Sequence, residues 1–380
     1  MSLLQKIHTY QNRILSKILS KAETLLFSKK TVRTKKKSLL LLRLDSIGDY
    51  VIFRNFIDSL KSSSRYQNYE ITLCGNIWWK ELSEKLDSQT VSSFIWIDYM
   101  KMADPLYRFK VLRKIHNRGF EILIHPTYSR DSVGDLIVAN SGAEIKIGFS
   151  GDLVNLTLSQ KENNNRAYSE LIESPSECMF EFYRNKLFFE SILAEKISLS
   201  RPSITSENQL ENKIIICPGA KDSFRRWSPF NFAALCDKLK IDFPEKDFVI
   251  CGSAADSVFA KEIIRNSTVH FQDSTGELGL NELLSVFSNA KLIVTNDSGP
   301  FHIAVALGKK AVCISNGNNY GRFTPYPAEM QTSSAVIYPD ELLNLPSEEE
   351  KWEKYCKHGS PLDINSIGVA KVYETIKKLV

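Results

Sequence analysis

The sequence predicts two doubly wound α/β domains in tandem, preceded by a basic amphipathic arm. Three features carry that prediction. Short apolar, β-prone runs without polar alternation recur in two series, helix-compatible segments separate the runs, and a polar stretch divides one series from the other. Unalternated apolar runs belong to parallel sheets covered on both faces, and strands alternating with helices build open doubly wound folds.

In the arm, residues 1–37 carry ten Lys and Arg against Glu23 alone, a balance of +9 that leaves −4 for the rest of a chain whose net charge is +5. Leu4, Ile7, Ile14, Leu15, Ile18, Leu25 and Leu26 recur there at helical spacing, and Lys35-Lys36-Lys37 closes the segment. Such a helix suits an anionic membrane surface, with its apolar stripe at the headgroup boundary. The plainer alternative is a stripe docked on the protein with solvated lysines. Nucleic acid is not an expected partner, because the body is acidic and holds no recognisable binding motif.

The first series runs through Leu39–Leu44, Ile71–Cys74, Phe94–Ile97, Ile122–His125 and Ile145–Ile147, with helix-compatible stretches at Tyr50–Lys61, Trp78–Leu86, Leu106–Asn117 and Asp131–Asn140. Residues 151–212 break the pattern with polar Gln160–Arg166, a helix-like Cys178–Leu193 and a Ser, Asn and Glu-rich stretch. The second series follows as Ile214–Cys217, Phe248–Cys251, Val269–Phe271, Leu292–Thr295 and Ala311–Ile314. The expected organisation is therefore an arm at 1–37, a first domain at 38–200, a linker at 201–212 and a second domain at 213–380. The last helix is expected to be able to pack back on the first domain.

With 43% apolar and 24% charged residues, the chain has an ordinary globular composition and is long enough for two cores. The seven Cys form no CxxC pair and several sit inside apolar runs, which predicts reduced core thiols rather than a disulfide framework or a zinc site. No apolar run approaches the ~20 residues of a membrane span, and no signal peptide is visible. The expected location is the cytoplasm, peripheral on the inner leaflet of the cytoplasmic membrane.

Three strand-end segments carry the chemistry. Asn296-Asp297-Ser298-Gly299-Pro300-Phe301-His302 leads from a buried strand into a helix, where unpaired N–H groups and the helix dipole favour a phosphate. Asp297 or Ser298 as a plain helix cap, with Pro300 in the first turn, is the competing reading. Arg43-Leu44-Asp45-Ser46-Ile47-Gly48-Asp49 ends the first strand. There Gly48 permits a tight turn and Asp49 sits at a helix N-terminus, a position an acidic residue also fills without any function. Pro218-Gly219-Ala220 continues into Lys221, Arg225, Arg226 and Trp227. The guanidinium groups match diphosphate oxygens, while Trp227 reads as packing under the next helix.

Together these segments resemble glycosyltransferase family 9, which contains the ADP-heptose:lipopolysaccharide heptosyltransferases. The chain's N-D-S-G-P-F-H, R-L-D-S-I-G-D and R-R-W-S-P segments are similar to that family's motifs in order and position, and the resemblance runs from about Ser38 to the C-terminal end. It implies a GT-B fold and inverting transfer without a metal or cofactor, from a nucleotide sugar such as ADP-heptose to a lipopolysaccharide or other lipid-linked glycan. Carried over, Asp49 is the general base. Arg225, Arg226, Asp256, Asp297, Ser298, Gly299 and His302 hold the donor, with Asp256 at the ribose, and Arg43, Ser46, Gly48 and Arg54 hold the acceptor.

The chain departs from the family in two places. Arg54-Asn55 stands where a small residue and Pro are usual on the first helix, and Ser315-Asn316-Gly317-Asn318-Asn319-Tyr320-Gly321-Arg322 replaces a Gly-Pro or Gly-Ser-Thr turn. Asn316, Gly317 and Asn318 are expected to face the donor sugar. The alternatives to a transferase are a nucleotide-sugar epimerase of the same two-domain architecture and a catalytically silent nucleotide-sugar-binding protein.

Overall fold

A computed structural model describes residues 33–205, 212–356 and 359–380. Six parallel strands form the first sheet: β1 Lys35–Arg43, β2 Glu70–Asn76, β3 Ser93–Ile97, β4 Phe120–His125, β5 Ile145–Phe149 and β6 Glu170–Ile172. Six more form the second: β7 Lys213–Cys217, β8 Asp247–Ile250, β9 Phe271–Asp273, β10 Ala290–Asn296, β11 Ala311–Ile314 and β12 Ser334–Ile337. The orders are β3-β2-β1-β4-β5-β6 and β12-β11-β10-β7-β8-β9. Both are the doubly wound order with one reversal, beside β1 and between β10 and β7, where ligands of such sheets bind.

The helices are α1 Ile47–Phe53, α2 Asn55–Ser62, α3 Lys80–Leu86, α4 Pro105–His116, α5 Ser132–Asn140, α6 Leu158–Asn165 and α7 Glu181–Leu193 in the first half. In the second half they are α8 Pro229–Asp242, α9 Ser257–Arg265, α10 Leu280–Ser288, α11 Gly299–Ala306, α12 Asp340–Leu343, α13 Glu348–Tyr355 and α14 Val369–Leu379. The segment predicted as one helix from Tyr50 to Lys61 starts earlier, at Ile47, and is divided at Arg54.

Burial on both faces explains the unalternated runs. Along β1, Leu39 and Leu41 enter one core while Leu40 and Leu42 enter the other, and all four are fully buried. Each such side chain stabilises the fold by about 2 kcal/mol. Phe53 and Phe56 of α1 and α2 pack on Phe182 and Phe189 of α7, with the Phe56 and Phe189 rings stacked 5.4 Å apart, so α7 belongs to the first domain's core. The same apolar cluster continues through Tyr326 and Phe301 to Ile215 and Ile293 of the second sheet. One continuous apolar layer therefore joins the two halves.

Three expectations are corrected. Lys35, Lys36 and Lys37 are part of β1 rather than of a free arm, and Lys35 pairs with Glu70 at 2.5 Å and Lys36 with Glu144 at 3.1 Å. The amphipathic helix predicted upstream of them lies outside the described residues. Cys178 and Cys356 form a disulfide, whereas all seven thiols were expected to be reduced. The other five are free and buried. The last helix packs on α8 and β12 of the second domain, not on the first, because Val372 and Ile376 complete the core beneath Trp227. Among the described residues, no helix is long and apolar enough to cross a membrane.

Candidate active site

The register of β7 against β10 pairs Cys217 with Thr295, which sets the loop after β7 beside the loop after β10. Buried Asn296 ties them together: its amide donates to the Pro218 carbonyl at 2.6 Å and its Oδ1 accepts from the Trp227 N–H at 3.1 Å. Trp227 is buried and donates its indole N–H to the Ile367 carbonyl at 2.9 Å, the packing role read from the sequence.

At the head of α11 the geometry favours an anion over a side-chain cap. Ser298 is the N-cap residue but makes no capping bond; its hydroxyl donates to the Asn296 carbonyl at 3.2 Å. The Asp297 carboxylate is also committed elsewhere, accepting from Ser315 Oγ at 3.0 Å and lying 3.4 Å from Arg225 Nη2. Pro300 carries no N–H and the Phe301 N–H donates to the Ser298 carbonyl at 3.0 Å, so the amides of Ser298 and Gly299 are the ones left at the head of α11, where the helix dipole adds positive potential. Arg225 also donates to the Asp297 carbonyl, while its Nε is buried without a hydrogen-bond partner among the described residues.

From the first domain, α1 approaches α11 head to head. A Cβ on Gly48 would lie 2.7 Å from His302 Cδ2, and one on Gly299 would lie 3.2 Å from Ile47 Cβ. Only glycine allows that approach at Gly48. Asp49, in the first turn of α1, accepts from the backbone N–H of Ser46 at 3.2 Å and from its hydroxyl, both through Oδ2. Its Oδ1 has no hydrogen-bond partner among the described residues. A cavity of about 160 Å³ is walled by Ser46 and Asp49 on one side and by Arg225, Ser298, Gly299 and His302 on the other. Asn318, Asn319 and Phe323 close it.

Behind that wall lies a larger cavity of about 470 Å³. Leu278, Leu283 and Ile303 give it an apolar side; Lys221, Arg226 and Asp256 give it a polar one, and Ser298 is shared with the smaller cavity. Asp256 accepts from Ser253 N and Oγ at 2.8 and 2.7 Å and is packed against Gly219 and Gly252. Arg226 holds its own loop, donating to the Ala220 and Lys221 carbonyls.

Several residues named from the sequence are elsewhere. Arg43 is fully buried, paired with Asp45 at 2.8 Å and bonded to Asn185 Oδ1 at 2.8 Å, so it supports the turn and does not reach the acceptor side. Arg54 is buried against Asp87 at 3.1 Å and bonded to the Ser203 carbonyl, away from the cavity. Asn316 is buried with its amide on the Ser360 and Leu362 carbonyls, and Gly317 packs on Leu342; of that predicted trio only Asn318 faces the cavity.

Sequence reasoning missed a bridge between the two halves. Arg322 joins buried Glu181 at 2.9 Å and Ser129 at 2.8 Å across the two halves. His302 is buried against Tyr326, with Nδ1 3.0 Å from its hydroxyl, and burial holds its pKa down to about 4. It is therefore neutral near pH 7. Burial pushes the Asp45 carboxyl up to about 8 against the pull of Arg43. No group of side chains suited to holding a metal ion occurs among the described residues.

Comparison with known proteins gives one family. The model of glycosyltransferase family 9 (heptosyltransferase) matches residues 108–352. Lipooligosaccharide heptosyltransferase 2 of Haemophilus ducreyi is 33% identical over 164 residues, 40% of this chain and 45% of that protein. Lipopolysaccharide heptosyltransferase 2 of Escherichia coli is 34% identical over 128 residues, 32% of this chain and 35% of that protein. The matched segment thus spans less than half the length of these curated relatives. A family 9 glycosyltransferase from Veillonella parvula superposes with a TM-score of 0.69 at 17% identity, covering 92% of this chain and 98% of that one. The ADP-heptose lipopolysaccharide heptosyltransferase II of E. coli gives 0.66 at 18% identity, covering 90% and 98%. Both likenesses establish the GT-B arrangement of the two sheets.

Proposed function

Because the chain belongs to glycosyltransferase family 9, we propose that it is an inverting glycosyltransferase. In this reading it moves a heptose-type sugar from a nucleoside diphosphate, ADP-heptose in the first instance, to a lipopolysaccharide core or other lipid-linked glycan. One observation carries the proposal: the Asp49 carboxylate and the uncapped amides of Ser298 and Gly299 wall the same cavity.

The chemistry follows from that opposition. Asp49 Oδ1 accepts the proton of an acceptor hydroxyl as its oxygen bonds to the anomeric carbon, and the bond from that carbon to the diphosphate breaks on the opposite face. The configuration inverts because a single displacement occurs. Charge developing on the leaving diphosphate is met by the α11 amides and by Arg225, fixed donors that need no reorganisation and no metal. The nucleoside occupies the larger cavity, with Asp256 toward the ribose. His302, neutral and wedged against Gly48, shapes the wall between the two substrates.

The lipid-linked acceptor gives the basic arm a role at an anionic membrane surface on the cytoplasmic side. The test is transfer from ADP-heptose, in the presence of EDTA, to acceptors in anionic liposomes. The expected product has the anomeric configuration opposite to the donor's. Removal of residues 1–32 is expected to slow transfer on liposomes but not to a water-soluble acceptor. Retention of configuration, or isomerised donor with no transfer, would sink the reading.

A further inference from the structure

A buried chain of charges runs from the loop that closes the reaction cavity to the turn that carries Asp49. The loop follows β11, and its Asn318, Asn319 and Phe323 wall that cavity. Arg322 sits among those residues, and its own N–H donates to the Asn319 carbonyl at 3.1 Å. Its side chain is only 12% exposed and reaches out of the second half of the chain into the first.

Among the described residues, the polar partners of that guanidinium all belong to the first half. Arg322 Nε donates to Glu181 Oε2 at 2.9 Å and Nη1 donates to Ser129 Oγ at 2.8 Å. Asp152 Oδ2 lies 4.0 Å from Nη1 and accepts from the same serine at 2.7 Å. The backbone adds a further tie, with the Glu181 N–H donating to the Arg322 carbonyl at 2.8 Å. Burial disfavours the guanidinium charge, yet Glu181, Asp152 and then Asp49 outweigh it and raise the Arg322 pKa.

Glu181 passes the contact on. Its other oxygen lies 3.9 Å from Arg43 Nη2, and Arg43 Nε is 2.8 Å from Asp45 Oδ2. Arg43 ends β1 and Asp45 opens the turn at residues 45–49. Asp49 itself accepts only from the Ser46 N–H and hydroxyl of that same turn among the described residues, so its aim follows wherever the turn rests. Removing one member of a buried ion pair leaves an uncompensated charge, and the best-attested use of such pairs is to fix register between parts of a fold.

We infer that Arg322 is a positioning residue for the transfer step: by reaching from the cavity-closing loop to Glu181, and through Arg43 and Asp45 to the turn at residues 45–49, it aims the base when that loop is seated. The inference rests on the transferase reading and adds to it a reason for the two halves to act together. A loop that lifts withdraws the guanidinium, leaves Glu181 to Arg43 alone and frees the turn to shift. Proton acceptance by Asp49 is thereby tied to a cavity closed against water. Arg322 needs to touch neither substrate to do this.

The test uses the whole chain with Arg322→Gln, Arg322→Lys, and Arg322→Gln combined with Glu181→Gln, a pair that removes one charge of each sign from the buried cluster. In transfer assays Arg322→Gln should lower kcat about 10- to 100-fold, the scale of a misplaced reacting group, with ADP affinity kept within about twofold. Lys is a point charge without the planar fork and should recover only part of the loss, and the charge-balanced pair should not recover it. On an Asp49→Asn background the same Arg322→Gln change should cost less than about threefold, because no base is left to aim. Hydrogen exchange without substrate gives a second readout. In Arg322→Gln and in the pair, the amides of residues 45–50 should exchange about fivefold faster or more, while those of β8 keep their wild-type protection. An equal loss on the Asp49→Asn background, full recovery of kcat in the pair, unchanged exchange at the turn, or exchange raised equally in β8 each overturns the inference. Absence of transfer in the wild type would remove the transferase reading separately, and exchange at the turn would still decide whether Arg322 is linked to it.

Discussion

Replacing Asp49 with Asn should lower transfer by about 10²- to 10⁴-fold, the usual contribution of a positioned general base. Affinity for ADP should stay within about twofold, because the groups assigned to the nucleotide are on the other wall and are untouched. Asn keeps an oxygen for the Ser46 N–H and hydroxyl, so the start of α1 survives. What is lost is a site for the proton. Parallel measurement of kcat and ADP affinity checks both halves. An unchanged kcat would remove Asp49 from the mechanism, and a matching loss of ADP affinity would show that it serves the donor instead.

Acidification should act on two of the buried histidines, His302 and His125. His302 is held at about 4 by burial, and His125 at about 3 by burial with Arg130 and Arg43 adding to the effect. Both are depressed below the unfolded value of about 6.5, so the stability linked to their neutral form is present above that pH and is lost as pH falls through the window down to the folded values. From about pH 7 to about pH 5, each histidine should account for a loss of about 2 kcal/mol. Asp45 acts in the opposite direction: its carboxyl is raised to about 8, so its contribution grows as pH falls from there. Comparing His302→Gln and His125→Gln with the wild type isolates each contribution. Denaturant unfolding should show each variant's loss over that interval smaller by about 2 kcal/mol. Parallel curves for wild type and variants would contradict it.

What the sequence carried was local pattern. The run at Leu39–Leu42 could be read as a two-sided strand because both of its faces are apolar, and both are buried. The turns after β1, β7 and β10 could be read as ligand-binding because glycine, serine and arginine sit directly at strand ends, and strand order brings those ends together. β6 and β12 escaped notice because they are edge strands of three and four residues with half-exposed side chains.

The assignments that moved depend on distant partners. Arg43 and Arg54 read as cleft cations because Asn185, Glu181 and Asp87, which bury them, are far away in the chain. Cys178 and Cys356 are 178 residues apart and meet only once α13 lies beside the segment leading into α7. Asn316 read as a sugar contact, yet Ser360 and Leu362 occupy its amide. In each case a polar side chain near a motif is used by the fold first. Trp78 ran the other way: placed within a predicted helix, it stands exposed at the rim of a cavity.

The account stands or falls on where a diphosphate rests relative to Asp49, and a crystal structure of the chain with ADP measures that directly. The expected result is the terminal phosphate on the Ser298 and Gly299 amides and the Arg225 guanidinium, with the Asp49 carboxylate facing it across the shared cavity. A diphosphate bound away from α11, or Asp49 turned out of that cavity in the complex, would contradict it.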